Sequence, residues 1–249
     1  MDYMKKHFLA LSSVFFLTII FTGCQKDELT LPVSVDMNIR IEPSSLSYIS
    51  FDGGQVLFKH LIFEGHRAEG GDIYFNTQPG KEMGPISFSD AKEGAFIKNF
   101  DIPQGVYNQM EWELQLSSLP PSLFPDDEDY ENDDEDNHPG LLLTGTYRQL
   151  NGTYIPISLV IDAIEKFTAH TSHGERIESQ TLSAGKAYSA YLTFDPSYAT
   201  AAISRQSLED AEINDDFFSP FIEISSDEND QLYEHILYRL QNSVKIIIN

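Results

Sequence analysis

The densest set of potential ligand atoms in this 249-residue chain is the run Asp126-Asp127-Glu128-Asp129-Tyr130-Glu131-Asn132-Asp133-Asp134-Glu135-Asp136, in which nine of eleven residues are acidic. Carboxylate oxygens at this density suit a hard cation such as Ca²⁺, with Asp133, Asp134 and Asp136 as the candidate ligands. The spacing is not that of an EF-hand. Counting from Asp126 places Glu131 where that loop needs glycine, and counting from Asp127 places Asn132 there. Charges this close repel one another and resist burial. The segment between Pro125 and Pro139-Gly140 is therefore expected to be a solvated loop with diffuse cation attraction. His170 and His173 stand three apart but would need a third metal ligand, and no nearby residue is a compelling one. Nucleophile chemistry has no signature: there is no Gly-x-Ser-x-Gly elbow, and Gly185-Lys186 lacks the earlier glycine and the following Ser or Thr of a phosphate loop. With 39 acidic residues, some pair always meets the carboxylate spacing of a glycosidase, so that criterion is uninformative. The expectation is a protein that is not an enzyme and carries no cofactor, a calcium ion at the acidic run excepted.

The only cysteine, Cys24, sits at the end of an address. Lys5, Lys6 and His7 precede an apolar stretch from Phe8 to Phe21, which is too short to span the ~30 Å hydrocarbon core as a helix. It leads into Phe21-Thr22-Gly23-Cys24. Small residues before a cysteine at this place resemble the lipobox of bacterial lipoproteins, although Phe21 stands where leucine is usual. The resemblance implies a signal peptide over residues 1–23, acylation of Cys24 and cleavage before it. Two or three acyl chains would hold the protein on a membrane without a spanning helix. Gln25-Lys26-Asp27-Glu28 resembles the export signal that places lipoproteins of Bacteroidota on the outer face of the outer membrane. A polar tether lifting the domain from the lipid would read the same way.

Sixteen basic residues against 39 acidic ones give a formal charge of −23, which argues against a polyanion such as nucleic acid as partner. A single cysteine excludes an intramolecular disulfide framework. The apolar content of 41% and aromatic content of 12% supply enough material for a core.

The elements that would position these residues are mostly strands. Val33, Val35, Met37, Ile39 and Ile41 alternate with polar residues, the period of a strand with one wet face. Further strands are expected over Gln55–Phe63, Ile73–Phe75, Phe96–Ile102, Gln109–Leu116, Thr144–Leu150, Thr153–Val160, Ile164–His170 and Ala187–Phe194, with Asp52-Gly53-Gly54 as punctuation before the second strand. The alternation over Gln109–Leu116 puts Trp112 on a core face. Asn151-Gly152 between two β-rich runs predicts a type I′ hairpin turn. Pro156 places its strand at a sheet edge or a bulge. After Asp195-Pro196 a short helix is expected over Ser204–Ile213 and an amphipathic one through Leu232, Tyr233, Ile236, Leu237, Leu240 and Val244. Lys245–Ile248 is ambiguous between helix and strand. The expected fold is mainly β: an antiparallel Greek-key sandwich with a short C-terminal helical appendage. The boundaries are a signal peptide at 1–23, a tether at 24–32, the sandwich at 33–195 and a helical segment at 196–249 packed on it.

Cys24-Gln-Lys-Asp-Glu together with Ile102-Pro103-Gln104-Gly105-Val106-Tyr107 resembles the uncharacterised surface lipoproteins of Bacteroidota, whose domains are transthyretin-like or fimbrillin-like β-sandwiches. The likeness covers about Val33 to Asp195 and implies no catalytic set. It leaves three readings: a surface-anchored binding or adhesion module for a glycan, protein or small ligand; a fimbrial subunit or anchor assembled by strand addition; and calcium-dependent binding through the acidic run. Strand addition would need an exchangeable strand near the N-terminus. Arg40, the first arginine after Cys24, is where a trypsin-like protease could release one.

Overall fold

In the computed structural model of the protein, residues 28–77, 80–124, 138–171, 179–214 and 220–249 are described. The strands are β1 (Pro32–Ile41), β2 (Ile49–Arg67), β3 (Ile73–Asn76), β4 (Met83–Ser89), β5 (Ala95–Pro103), β6 (Gly105–Leu116), β7 (Pro139–Arg148), β8 (Tyr154–Asp162), β9 (Lys166–Thr171), β10 (Gln180–Leu182), β11 (Ala187–Phe194), β12 (Ile222–Ile224) and β13 (Lys245–Ile248). Three helices, α1 (Pro196–Thr200), α2 (Arg205–Glu209) and α3 (Asp230–Gln241), lie in the C-terminal quarter. The fold is mainly β and sandwich-like, as expected from the alternating strands.

Hydrogen bonds link the strands in the order β12-β8-β7-β2-β6-β9-β13-β11-β1-β5, with β3 and β4 on β2 and β10 on β6. The 19-residue β2 is shared between two parts of this path. Its first half, Ile49–Val56, pairs with β7 and β4, and its second half, from Phe58, pairs with β6 and β3. The register slips between Val56 and His60 on both sides, and there β2 passes from one neighbourhood to the other. β4 also lies against β5 and β1, so the β5 end of the path comes back beside β2 around one core. Rings fill that core. Phe63, Phe75, Phe100, Tyr107 and Trp112 cluster in one part, and Phe88, Phe167 and Phe194 in another.

β1 shows how the alternation is used. Val33, Val35, Met37, Ile39 and Ile41 are all buried, each contributing roughly 1.5–3 kcal/mol of apolar transfer. Three pairings are parallel, β1 with β11, β12 with β8 and β13 with β9, so the sheet is mixed although most of its ladders are antiparallel. Parallel partners need long crossovers, and no local pattern announces them.

Three expectations need correction. Asp52-Gly53-Gly54 does not interrupt a strand; β2 runs through it. A Cβ on Gly54 would come within 2.7 Å of the Phe88 ring and 2.9 Å of the Leu142 carbonyl oxygen, so the glycine there permits close packing and makes no turn. The β7–β8 hairpin exists, but its turn is not type I′. Asn229 is the one described non-glycine residue with positive φ, so Asn151 has negative φ and only Gly152 (φ +91°) is left-handed. Gly152 N donates to Gln149 O (3.0 Å) and Gln149 N to Thr153 O (2.8 Å), the pattern of a three-residue loop closed by a left-handed glycine. The short helix expected over Ser204–Ile213 is only α2, N-capped by Ser204. Pro156 behaves as expected: β12 covers β8 only from Ile157 to Leu159, leaving the proline on the open side.

The C-terminal segment supplies strands as well as helices. Lys245–Ile248 is a strand, inserted between β9 and β11. α3 buries Tyr233, Ile236 and Leu240. Tyr233 Oη donates to Asp162 Oδ2 and Ser226 Oγ to Asp162 Oδ1, both at 3.3 Å. Burial lifts the Asp162 carboxyl above its ordinary range, the charges of Asp227 and Glu165 add to the rise, and the two hydroxyl donors oppose it. The folded state therefore binds this proton more tightly than the unfolded state. The resulting stability is complete below the ordinary carboxylate range and is lost as pH rises through the elevated value. Asp162→Asn should accordingly melt higher than the parent near neutrality, with the advantage shrinking in acid. Paired melting curves across that range check the sign, and a variant less stable at neutral pH would contradict it.

Candidate functional site

Cys24, Gln25, Lys26 and Asp27, the acidic run with Asp133, Asp134 and Asp136, and His173 lie outside the described residues. Glu28 opens a single 3₁₀ turn, Glu28–Thr30. Just after it the chain is clamped to the sandwich. Arg67 Nη1 donates to Leu29 O (2.7 Å) and Gln104 O (3.4 Å), its Nε donates to Gly71 O (2.8 Å), and Gln104 N donates to Leu31 O (2.8 Å). The Ile-Pro-Gln-Gly element thus helps fix where the N-terminal segment meets the domain. His170 Nδ1 lies 3.4 Å from Glu111 Oε2, a cross-strand pair between β9 and β6. Among the described residues no group of three or more His, Cys, Asp or Glu could hold a metal ion.

Arg40 sits near the end of β1, paired with Thr193 of β11 and one residue past the last β1–β5 pair, Ile39–Ala95. Its guanidinium lies 4.8 Å from the centre of the Tyr191 ring, while Nε donates to Thr193 Oγ1 (3.3 Å) and Nη1 to Lys92 O (3.1 Å). It belongs to a face that the sheet assembles from three distant stretches of sequence. Since Val35, Met37 and Ile39 point inward, Ser34, Asp36, Asn38 and Arg40 point outward. Asn38 is in register with Phe96 on β5 and with Tyr191 on β11, so two aromatic rings flank an amide across three adjacent strands. Phe96 is 57% exposed. One row away, Asp36 is in register with Asn99 and Ser189. Asn99 Nδ2 donates to Ser34 Oγ (2.8 Å) and Asp36 Oδ1 (2.7 Å), and Asn38 Nδ2 donates to Asp36 O (3.0 Å).

This face was only partly legible beforehand. The polar half of β1 was expected to be wet, but nothing in the sequence aligns Phe96 and Tyr191 with it. Alternation within each strand was the one available signal.

A second feature is an open groove of about 750 Å³ between α2 and the start of α3, lined by Asp210, Glu212, Asp227, Asn229, Asp230 and His235 among others. Asn229, at the N-cap of α3, is left-handed (φ 59°, ψ 39°) and lines the groove. Its Oδ1 accepts from Glu212 N (2.8 Å), and its Nδ2 donates to Glu223 O (2.6 Å) and Glu212 O (3.3 Å). Its polar atoms therefore join the segments around them.

Against this geometry, no protein-family model matches the chain, and no curated protein does. One solved structure, a "putative cell adhesion protein" from Bacteroides eggerthii, aligns over 66% of this chain and 46% of its own, with 11% identity and a TM-score of 0.18. The chain thus spans less than half of that protein, at a similarity too low to carry an argument. Among the described residues no helix is long and apolar enough to cross a membrane.

Proposed function

We propose that the protein is a lipid-anchored, non-catalytic binding or adhesion module on the outer surface of the outer membrane. The observation that supports this reading is the continuity of β1 with the anchor side of the chain. The strand that follows the clamped turn after Cys24 is also the strand that carries Asn38 and Arg40 on the outward face. Seven residues lie between Cys24 and Pro32, a reach of at most ~28 Å. Acyl chains on Cys24 would tether the domain while leaving that face in water.

The test begins with Cys24→Ser. The variant should leave the acylated outer-membrane fraction, remaining soluble or held only by an uncleaved signal, while the parent on intact cells should be removed by added protease. A Cys24→Ser protein that still fractionates as an acylated species of mature mass would overturn the anchor.

Strand addition predicts a different outcome. Arg40 is paired with Thr193 of β11 and its side chain is held by Tyr191, Thr193 and Lys92, so an arginine-specific protease should leave a monomer in native mass measurement. Ladders of multimers after that treatment would favour a fimbrial subunit instead.

A further inference from the structure

We propose that the outward face of β5, β1 and β11 binds a neutral carbohydrate chain. This rests on the binding-module reading and names its ligand. The rows are held by backbone ladders, so the ligand-facing groups are pre-positioned and little ordering cost remains on binding. Phe96, exposed on β5 at one side of a polar face, offers a ring for the C–H face of a sugar. Tyr191, about 10 Å away across two strand spacings, has Arg40 against its ring.

The polar groups have a definite remainder. Asn99 uses both amide hydrogens inside the face and Asn38 one of its two, which leaves their carbonyl oxygens and Asp36 Oδ2 as acceptors and one Asn38 N–H as a donor. Arg40 uses Nε and one N–H of Nη1, which leaves the other Nη1 hydrogen and both on Nη2 as donors. A surface that offers both acceptors and donors, held in fixed rows, is matched by sugar hydroxyls, which both donate and accept. An anionic ligand would meet Asp36 and the field of a chain at −23, which disfavours uronic or sulfated polymers. A protein partner would want an apolar interface centre, and the centre of this face is the polar row of β1, with its exposed ring to one side.

Native gel electrophoresis of the purified protein tests this, with a linear β-glucan, an α-mannan, a xylan or polygalacturonate cast in the gel. At least one of the three neutral polymers should retard the protein, and polygalacturonate should not. Phe96→Ala and Asn99→Ala should each weaken the retarding interaction by roughly tenfold with melting temperature unchanged. Tyr154→Ala, which removes an exposed ring on β8, should leave it intact. No retardation by any neutral polymer, retardation by polygalacturonate alone, or full retention by Phe96→Ala would overturn the proposal. Surface anchoring is read separately from the Cys24→Ser fractionation, so loss of this site and loss of the module reading are distinguishable.

Discussion

Gly145→Ala should be among the most damaging single-methyl changes available to this protein. A Cβ at Gly145 would lie 1.9 Å from the carbonyl oxygen of Ser50, 2.8 Å from its carbonyl carbon and 2.9 Å from Phe51 Cα. All three are backbone atoms of β2, so no rotamer change relieves the clash. Relief requires β7 to separate from β2 beside the register shift between Phe51 and Gly53. That loosens the ladder joining β7, β8 and β12 to the rest of the sheet. Overpacking of a well-filled interior typically costs about 1–3 kcal/mol, and a backbone collision should reach or exceed the top of that range. Against a total stability of about 5–15 kcal/mol for a domain, this moves the denaturation midpoint far. Gly71→Ala is the control, because a Cβ there meets nothing within 4 Å and the backbone needs no positive φ. Urea titrations of both variants check the contrast, and equal midpoints would refute so close an approach of β2 and β7.

Trp112→Ala should cost about 3–5 kcal/mol, the range for deleting a fully buried aromatic side chain. Trp112 is wholly buried on β6, 4.9 Å from the Phe63 ring and in register with Phe63 on β2 and Ala169 on β9. The small side chain of Ala169 cannot fill the cavity. Trp112 Nε1 has no hydrogen-bond partner among the described residues, so the indole acts as packing volume and its N–H contributes nothing favourable. Trp112→Phe should therefore lose less than about 1.5 kcal/mol, since it keeps a ring against Phe63 and removes the unpaired donor. Far-ultraviolet circular dichroism is the right monitor, because each variant removes the only tryptophan. Comparable losses for the two substitutions would assign the energy to the indole edge and contradict the packing account.

The parts of the fold visible in the sequence are those that obey a local period. β1 reads correctly because it buries one side only, and Trp112 follows from the same alternation. β2 did not, because Gly53-Gly54 has the composition of a turn and the demand for small residues comes from Phe88, Leu142 and Leu143, remote in sequence. β10 and β12, at three residues each, are too short to show a period, and β4 carries Pro85 within its run. The outward face was legible one strand at a time. Asp36, Phe96 and Tyr191 become a single surface only through the β1–β5 and β1–β11 registers. Parallel pairing across 153 residues leaves no trace in either segment.

That same pairing has a consequence for how the chain reaches its destination. Ser34 pairs with Ala187, and Lys245 joins the sheet against Thr193, so the first strand cannot be sealed until stretches far along the chain are available. Contacts of such high sequence separation form slowly, because loop closure must precede the burial that rewards it. A polypeptide threaded through a secretion channel must stay unfolded until it has passed. Under the proposed export, the topology itself would withhold the native state during passage, and the early apolar strand would stay unpaired until its partners arrive.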